Sequence, residues 1–506
     1  MRYGFIIDQD RCIGCHACTV ACKEEHQVPV GVFRTWVKYV EKGEFPQTSR
    51  HFGVMRCNHC DSAPCITICP TNALYRRSDG IVDFDNRSCI GCKSCMQACP
   101  YDALYIDPNS NTAAKCNFCA HRVEANMEPA CVIVCPTQAI IAGDLDSPAS
   151  KISRIVATEK VSVRKPQKGT QPKLYYKGIE GDLLEPTRLS RQNTYVFAEQ
   201  RDERSSTKGF DPTVTREVYD VAHPAPWGWK IGAYLWTKSI AAGVMLVAAM
   251  CLAISPQSNL PILNIAAPLV ALAFLAVTMA LLVFDLKRPD RFFYLLTKPN
   301  VKSWLVLGGY ILALYGICLL AWLFAGTFLG AVPRVLIWIT AALAVASAGY
   351  SAFLFAQAKG RDLWQSRLFF WHLIIQALLA GSAVMILLEL AVGSNTFPEL
   401  PVFLVSIAGL TSSAALSLVI AMLELFLPHH SIDTRLAAKS LVRGRFKIQF
   451  WGLAIGLGLA APLMLFGAAI WIDTEQFYPV IALLVLAGLW FHEDVWVKAG
   501  QSVPLS

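Results

Sequence analysis

Sixteen of the 18 cysteines lie between Cys12 and Cys135, in four groups. The first is Cys12, Cys15, Cys18 and Cys22, spaced C-x2-C-x2-C-x3-C. The second is Cys57, Cys60, Cys65 and Cys69, the third Cys89, Cys92, Cys95 and Cys99, and the fourth Cys116, Cys119, Cys131 and Cys135, each of these three followed by proline. Thiolates spaced this way ligate cubane iron–sulfur clusters. Three cysteines on one tight loop wrap three corners of a cubane, and the fourth, leaving the loop at the start of a helix, points toward a partner cluster. The groups are therefore expected to exchange fourth ligands in pairs. Four thiolates per cluster predict four [4Fe–4S] clusters. A zinc framework would show two C-x-x-C knuckles without the longer run. Cys12-Ile13-Gly14-Cys15-His16 also fits the C-x-x-C-H pattern of haem c attachment, but those cysteines belong to the longer run. His59, between Cys57 and Cys60, reads as a residue beside a cluster or in solvent rather than a ligand.

The elements that hold these loops are short. Ala73–Tyr75 and Ile81–Phe84 flank an Asp79-Gly80 turn, and Ala103–Ile106 runs into the turn signal Asp107-Pro108-Asn109-Ser110-Asn111. Small hairpins and short helices around paired clusters predict an α+β, ferredoxin-like head. No apolar leader with a small-residue cleavage site opens the chain, so the head is expected to stay unexported with reduced thiols.

The order of the four groups, with the wide gap from Cys119 to Cys131, resembles the iron–sulfur subunits of the DMSO reductase family. So do Thr137-Gln138-Ala139-Ile140, Gly143-Asp144-Leu145 and Val163-Arg164-Lys165-Pro166. The likeness covers about residues 1–180. It implies a wire of clusters between a large molybdenum-pterin catalytic subunit and a membrane anchor. It also implies the ligand exchange: Cys12, Cys15, Cys18 with Cys135; Cys116, Cys119, Cys131 with Cys22; Cys57, Cys60, Cys65 with Cys99; Cys89, Cys92, Cys95 with Cys69. Some relatives lack one cysteine of the second group and hold a three-iron cluster. Cys60 is present here, which predicts four irons in each.

Residues 1–180 thus form the expected cluster domain, 181–226 a linker and 227–506 a membrane domain. The segment Lys151–Lys177 is rich in Lys and Arg, and the resemblance implies that 150–180 is a docking surface for the catalytic subunit; 185–222 reads as a solvated extension. The net charge of +8 suggests nucleic acid, but many of the basic residues sit in short loops between apolar runs, so no nucleic-acid partner is expected.

After Lys230 come eight apolar segments of bilayer-spanning length, an all-α membrane domain: 231–254, 262–284, 303–326, 333–356, 368–391, 400–425, 447–471 and 477–492. The loops on the head's side, with the C-terminal tail, carry 13 Lys and Arg; the far side carries only Arg334. This bias predicts an inner-membrane protein with its head in the cytoplasm. A b-type haem needs facing histidines. Only His372 lies well inside a predicted span, with His429 and His430 in a loop and His492 at a terminus, so no haem is expected.

The tail resembles the NrfD/polysulfide reductase family of eight-helix, haem-free, quinone-reactive subunits. The residues are Tyr234-Leu235, Ala241-Ala242-Gly243, Asp285-Leu286-Lys287-Arg288-Pro289 running to Lys298-Pro299-Asn300, Glu424-Leu425, Phe450-Trp451-Gly452 with Pro462, and Ala499-Gly500-Gln501. The resemblance implies direct transfer from the last cluster to a bound quinone. Polar groups within spans are functional candidates. Lys238 is expected about 10 Å inside the head-side end of the first span, with Tyr234 one turn away on the same face. Tyr350 falls near the head-side end of the fourth span. Against a quinone role, Lys238 would snorkel to the interface and Tyr350 would pack between helices. Asp285 and Arg288 at the membrane boundary form an ion pair or part of a proton route. His372 reads equally as a packing residue, and Cys251 and Cys318 as buried small apolar groups.

The chain shows no nucleophile–base pair of its own, so substrate chemistry is expected on a separate subunit. A module of a quinone-coupled ion pump or respiratory supercomplex is the first rival, and a membrane-tethered iron–sulfur sensor the second.

Overall fold

The computed structural model describes residues 1–44, 46–178, 181–191, 215–255, 260–392, 400–427, 431–472 and 475–506. Two compact units emerge, Met1–Pro226 with Pro504–Ser506, and Trp227–Val503. His429 and His430 lie outside the described residues.

In the first unit, β1 (Tyr3–Asp8) is an inner strand of a four-stranded sheet. The hairpin β2 (Thr35–Glu44) and β3 (Gln47–Arg56) belongs to a second sheet. Two small hairpins follow. β4 (Leu74–Arg76) pairs with β5 (Val82–Phe84), and β6 (Leu104–Ile106) with β7 (Ala113–Lys115). Both sit where the turn signals place them. β8 (Ile140–Asp144), β9 (Val161–Ser162) and β10 (Leu174–Lys177) complete the first sheet in the order β8-β1-β10-β9. β1 runs antiparallel to β8, with Ile7 opposite Ile140, and parallel to β10, with Phe5 opposite Leu174. Phe5-Ile6-Ile7 is continuously apolar because both faces of β1 are covered: Ile6 packs with Ile141 and Ile152, while the Phe5 ring centroid is 4.0 Å from that of Phe118.

The structure departs from the sequence reading in the described parts of 185–222, residues 185–191 and 215–222. There β11 (Ser190–Arg191) and β12 (Arg216–Tyr219) join the second sheet, in the order β11-β12-β2-β3. The segment lacks an apolar period because the anchors are charged. Lys38 on β2 bridges Glu217 at 2.6 Å and Asp220 at 3.6 Å. His223 lies 2.7 Å from Asp102 and 3.5 Å from Asp220.

The second unit has eight helices long and apolar enough to cross a membrane. They are α1 (Trp229–Ile254), α2 (Ile262–Asp285), α3 (Trp304–Leu329), α4 (Arg334–Gln357), α5 (Phe369–Val392), α6 (Val402–Phe426), α7 (Ile448–Ile472) and α8 (Tyr478–Gly500). α1 is buried over 78% of its apolar window and α2 and α3 over 28%, so α1 is the core and the other two face outward. Their exposed Val277, Leu314, Ile317 and Leu320 suit lipid, where the helical backbone satisfies its own polar groups. α1 meets α5 at two glycines. A Cβ on Gly243 would stand 1.7 Å from the Ala377 carbonyl oxygen, and one on Gly381 2.0 Å from the Gly243 backbone. Only hydrogen lets these backbones approach so closely.

Seven spans follow the expected bounds within a few residues, but α8 continues to Gly500 instead of ending at 492. His492, expected at a terminus, is buried inside it. Charged Glu493, Asp494 and Lys498 ended the apolar run early; the i,i+4 pair of Lys498 with Asp494 carries the helix on.

Burial depresses the His223 imidazolium, but the hydrogen bonds it donates to Asp102 and Asp220 outweigh it and raise its pKa from 6.5 to about 9. A raised folded pKa gives stability that is complete below the unfolded value and lost as pH rises through about 9. The wild-type head is therefore expected to unfold and release iron more readily at pH 10 than at pH 6. His223→Gln should abolish that component of the difference, read as thermal midpoints of the full chain at the two pH values.

Candidate functional site: four interlocked thiol groups and a buried lysine

All 18 cysteines are free thiols. In each group the third is the second residue of a short helix: Cys18 in Ala17–Glu25, Cys65 in Pro64–Ile68, Cys95 in Ser94–Ala98 and Cys131 in Ala130–Ile133. The fourth lies four residues on, so it departs near the end of that helix, not at its start. One helical turn thus separates two ligands and sends them in different directions. The preceding loops are coiled tightly by residues in the left-handed region, Gly14 and His16, His59, Gly91 and Lys93, and Phe118 and Cys119.

The thiols gather across groups. Cys22 feels the charge of Cys116, Cys131 and Cys119, and Cys12 that of Cys135. Cys60 and Cys65 both feel Cys99, and Cys92 and Cys95 both feel Cys69. Cys69, Cys89, Cys92 and Cys95 line a single cavity. Further proximities join the quartets: Cys18 with Cys131, Cys116 with Cys57, and Cys95 with Cys65.

Burial, then neighbouring thiolates, push these groups up, Cys18 and Cys99 to about 11 and Cys92 and Cys119 to about 12. Arg56 and backbone hydrogen bonds offset only part of this. Quartets of buried thiolates need a cationic centre at their middle. Among the described residues no three His, Cys, Asp or Glu converge as they would on a single metal ion. Four thiols to a quartet are the donor set of a multi-iron core. Hydrogen bonds already aim at the sulfurs: Ala139 N to Cys135 Sγ at 3.2 Å, Gly91 N and Ala113 N to Cys89 Sγ at 3.4 Å, and Arg56 Nη1 to Cys131 Sγ at 3.1 Å. Such bonds tune cluster potentials.

The sequence reading missed the buried cations. Arg56 is fully buried over the Phe5 ring, and Lys115 donates to the carbonyls of Val82 and Cys116. Their signal was position, since each directly precedes the first cysteine of a group. His59, expected beside a cluster or in solvent, is buried, with Nδ1 accepting from Val82 N at 3.2 Å. His16, of the haem-like pentapeptide, is engaged by the Tyr39 hydroxyl at 2.8 Å.

In the membrane unit, Lys238, Tyr234 and Tyr350 come together. Lys238 is completely buried and does not snorkel. Its Nζ donates to Ala348 O at 2.9 Å and Ser351 Oγ at 2.6 Å, both on α4. It stands 4.8 Å from the Tyr350 ring centroid and 5.6 Å from that of Tyr234. The Tyr234 hydroxyl shares Ser351 Oγ at 2.7 Å. Gly308 on α3 makes room for the Tyr350 ring, which a Cβ there would strike at 2.1 Å. Arg288 lies apart from this group and grips Asp290 at 2.8 Å; Asp285 ends α2. His372 is more than packing: its Nδ1 is 2.8 Å from Glu424 Oε2. Glu424 was quoted from sequence only as part of the family resemblance, and Ser351 and Glu493 were not singled out, because a lone serine or a carboxylate beside a span end carries no distinguishing pattern.

Comparison with known proteins follows the same division. Residues 11–73 and 49–145 each match a 4Fe-4S dicluster domain, and 217–504 match Polysulphide reductase, NrfD. The first part is 45% identical over 189 residues to the B subunit of tetrathionate reductase from Salmonella typhimurium, covering 37% of this chain and 76% of that one. It is 42% identical over 177 residues to the B component of polysulfide reductase from Wolinella succinogenes, covering 34% and 93%. The arsenate respiratory reductase iron-sulfur subunit ArrB of a Shewanella species is 33% identical over 224 residues, covering 35% and 96%. A thiol-lined head, eight membrane-length helices and both matches thus occur in one polypeptide. It is an iron–sulfur electron-transfer subunit, similar in its head to those of the reductases and fused to a multi-pass membrane domain, and it belongs to the NrfD polysulphide reductase family.

Proposed function

We propose that this chain carries electrons between a separate molybdopterin-type catalytic subunit and the membrane quinone pool, and anchors that subunit to the inner membrane. The observation that carries the reading is the interlocking of the four cysteine groups in the same chain as a lysine buried in a membrane bundle. The relatives are each named as one component of a reductase, which supports a catalytic partner on another polypeptide.

The proposed ligand sets are Cys12, Cys15, Cys18, Cys135; Cys22, Cys116, Cys119, Cys131; Cys57, Cys60, Cys65, Cys99; and Cys69, Cys89, Cys92, Cys95. Bound there, four [4Fe–4S] clusters would supply one-electron transfer. The proximities of Cys18 to Cys131, Cys116 to Cys57 and Cys65 to Cys95 support a linear order of the four sets as just written. Anaerobically purified protein should contain about 16 irons per chain, at four per cluster. Cys22→Ser should cost the cluster of the fourth group's loop while the first group's signal persists in electron paramagnetic resonance. Loss of the first group's cluster instead would refute the exchange.

The 13-to-1 distribution of loop Lys and Arg supports a cytoplasmic head. Reporter fusions at about residue 395 should read as periplasmic and those at the C-terminus as cytoplasmic; the opposite pattern would reverse the orientation. No haem is proposed in the tail. The His372 and His492 rings contact each other, with centroids 5.0 Å apart, and His372 Nδ1 is engaged by Glu424, which supports that reading.

The quinone head group is proposed to bind between α1 and α4, where Lys238 and Tyr350 can hydrogen-bond a ring carbonyl within an apolar surround. Because quinone reduction takes up two protons, the site needs a donor, and the Lys238 ammonium is one. Lys238→Met and Tyr350→Phe should lower quinone-linked turnover, Lys238→Met at least tenfold, which corresponds to about 1.4 kcal/mol. Cluster reduction by an artificial donor in the same membranes should be unchanged. Wild-type quinone-linked rates in both variants would place the site elsewhere.

A further inference from the structure

Resting on that reading, the geometry points to a proton route through Glu424, His372 and Glu493 that supplies Lys238 from the side of the membrane on which α1 begins. The four groups come from four different helices, α6, α5, α8 and α1, and all are buried: Glu424 7%, His372 1%, Glu493 1% and Lys238 0% exposed. Four ionisable residues converging inside an apolar bundle are costly to keep unless they are used.

Their depths form a series. Eight alternating spans put the start of α1 and α5 and the end of α6 and α8 on one side. At 1.5 Å per residue, Glu424 lies about 3 Å from that end of its helix, His372 about 4.5 Å, Glu493 about 10 Å and Lys238 about 14 Å. The outermost step is a direct contact, Glu424 Oε2 to His372 Nδ1 at 2.8 Å. Glu493 is near enough to feel the charge of both His372 and Lys238, and its depth falls between theirs. Lys238 ends the series on Ser351, which it shares with Tyr234.

Glu493 has the open valence that a relay needs. Its Oε1 is buried and accepts no hydrogen bond among the described residues, and the same holds for Glu424 Oε1 and for Gln376 Oε1, one turn beyond His372 on α5. Unpaired buried oxygens at this spacing are sites for bridging water. His492, whose ring lies 5.0 Å from His372 and stacks on Trp496, walls the route on its other flank.

The balance is simple. A quinone takes two electrons from reduced iron–sulfur clusters and two protons through Lys238, giving a quinol. Each proton lost by Lys238 is replaced from Glu493, which is recharged through His372 and Glu424 from solution. Run in reverse, quinol oxidation releases protons on the same side.

The test uses the assembled complex in membranes, with quinone-linked and dye-linked rates measured side by side. Glu493→Gln should lower the quinone-linked rate at least tenfold, leave the KM for quinone and the dye-linked rate unchanged, and be partly rescued by acetate as a mobile proton carrier. Glu493→Asp should retain most of the rate, and Glu424→Gln should show a smaller, acetate-rescued loss. If Lys238→Met is impaired but Glu493→Gln turns over at the wild-type rate, the route is wrong and the quinone site stands. If both turn over normally, the site itself is wrong. An equal loss in Glu493→Gln and Glu493→Asp, with a raised KM and no rescue, would make Glu493 a structural residue and overturn the route.

Discussion

Mutual repulsion among buried thiolates is the constraint from which the head's architecture follows. Sixteen cysteines fall within 124 residues, and most are buried. Cys22, Cys65 and Cys95 are harder to ionise because they are buried and, after that, because their neighbours are thiols too. Placing the third and fourth cysteines of every group on either side of one helical turn distributes the charge over separate quartets. Cations then enter the interior, where they would otherwise be unfavourable: Arg56 against Cys131, Lys115 behind the second hairpin, and Lys173 on Asp61 and the Gly80 carbonyl. The sheets supply the walls, with Phe5 and Phe118 closing the space beneath Arg56.

The membrane unit meets the opposite problem, a shortage of partners for polar atoms. Many of its buried or part-buried side-chain donors turn to backbone carbonyls: Tyr315 to Ala241 at 2.7 Å, Trp322 to Leu263 at 3.2 Å, and the part-buried Trp236 to Leu486 at 2.9 Å. Such bonds tie helices together without placing charge in the bilayer. Lys238 and Glu493 depart from this pattern. That departure, together with burial, is what the proposed quinone site and proton route between α1, α4, α5 and α8 rest on.

The cysteine groups, both small hairpins and the number of spans were legible because each rests on local spacing: thiols at fixed offsets, an Asp-Gly turn, some 20 apolar residues in a row. What escaped rests on contacts distant in sequence. β12 joins β2 through charged residues, Lys38 with Glu217 and Asp220, so its segment reads as solvated until its partner is known. The last span was cut short at His492 because a Glu-Asp pair follows, although Glu493 is turned inward. Lys238 and Tyr234 were visible as neighbours on one helix face; Ser351, which joins them, lies 113 residues from Lys238.

The close crossing of α1 and α5 has a mechanical meaning. Gly243 and Gly381 touch backbone to backbone, so no side chain can flex to let one helix slide past the other. Lys238 precedes one of these glycines by five residues and His372 the other by nine. Both groups therefore hang from one rigid pivot, and their vertical offset is a fixed length set by the two glycines. Rocking about that pivot changes the angle between the helices while preserving the rung on which each group stands.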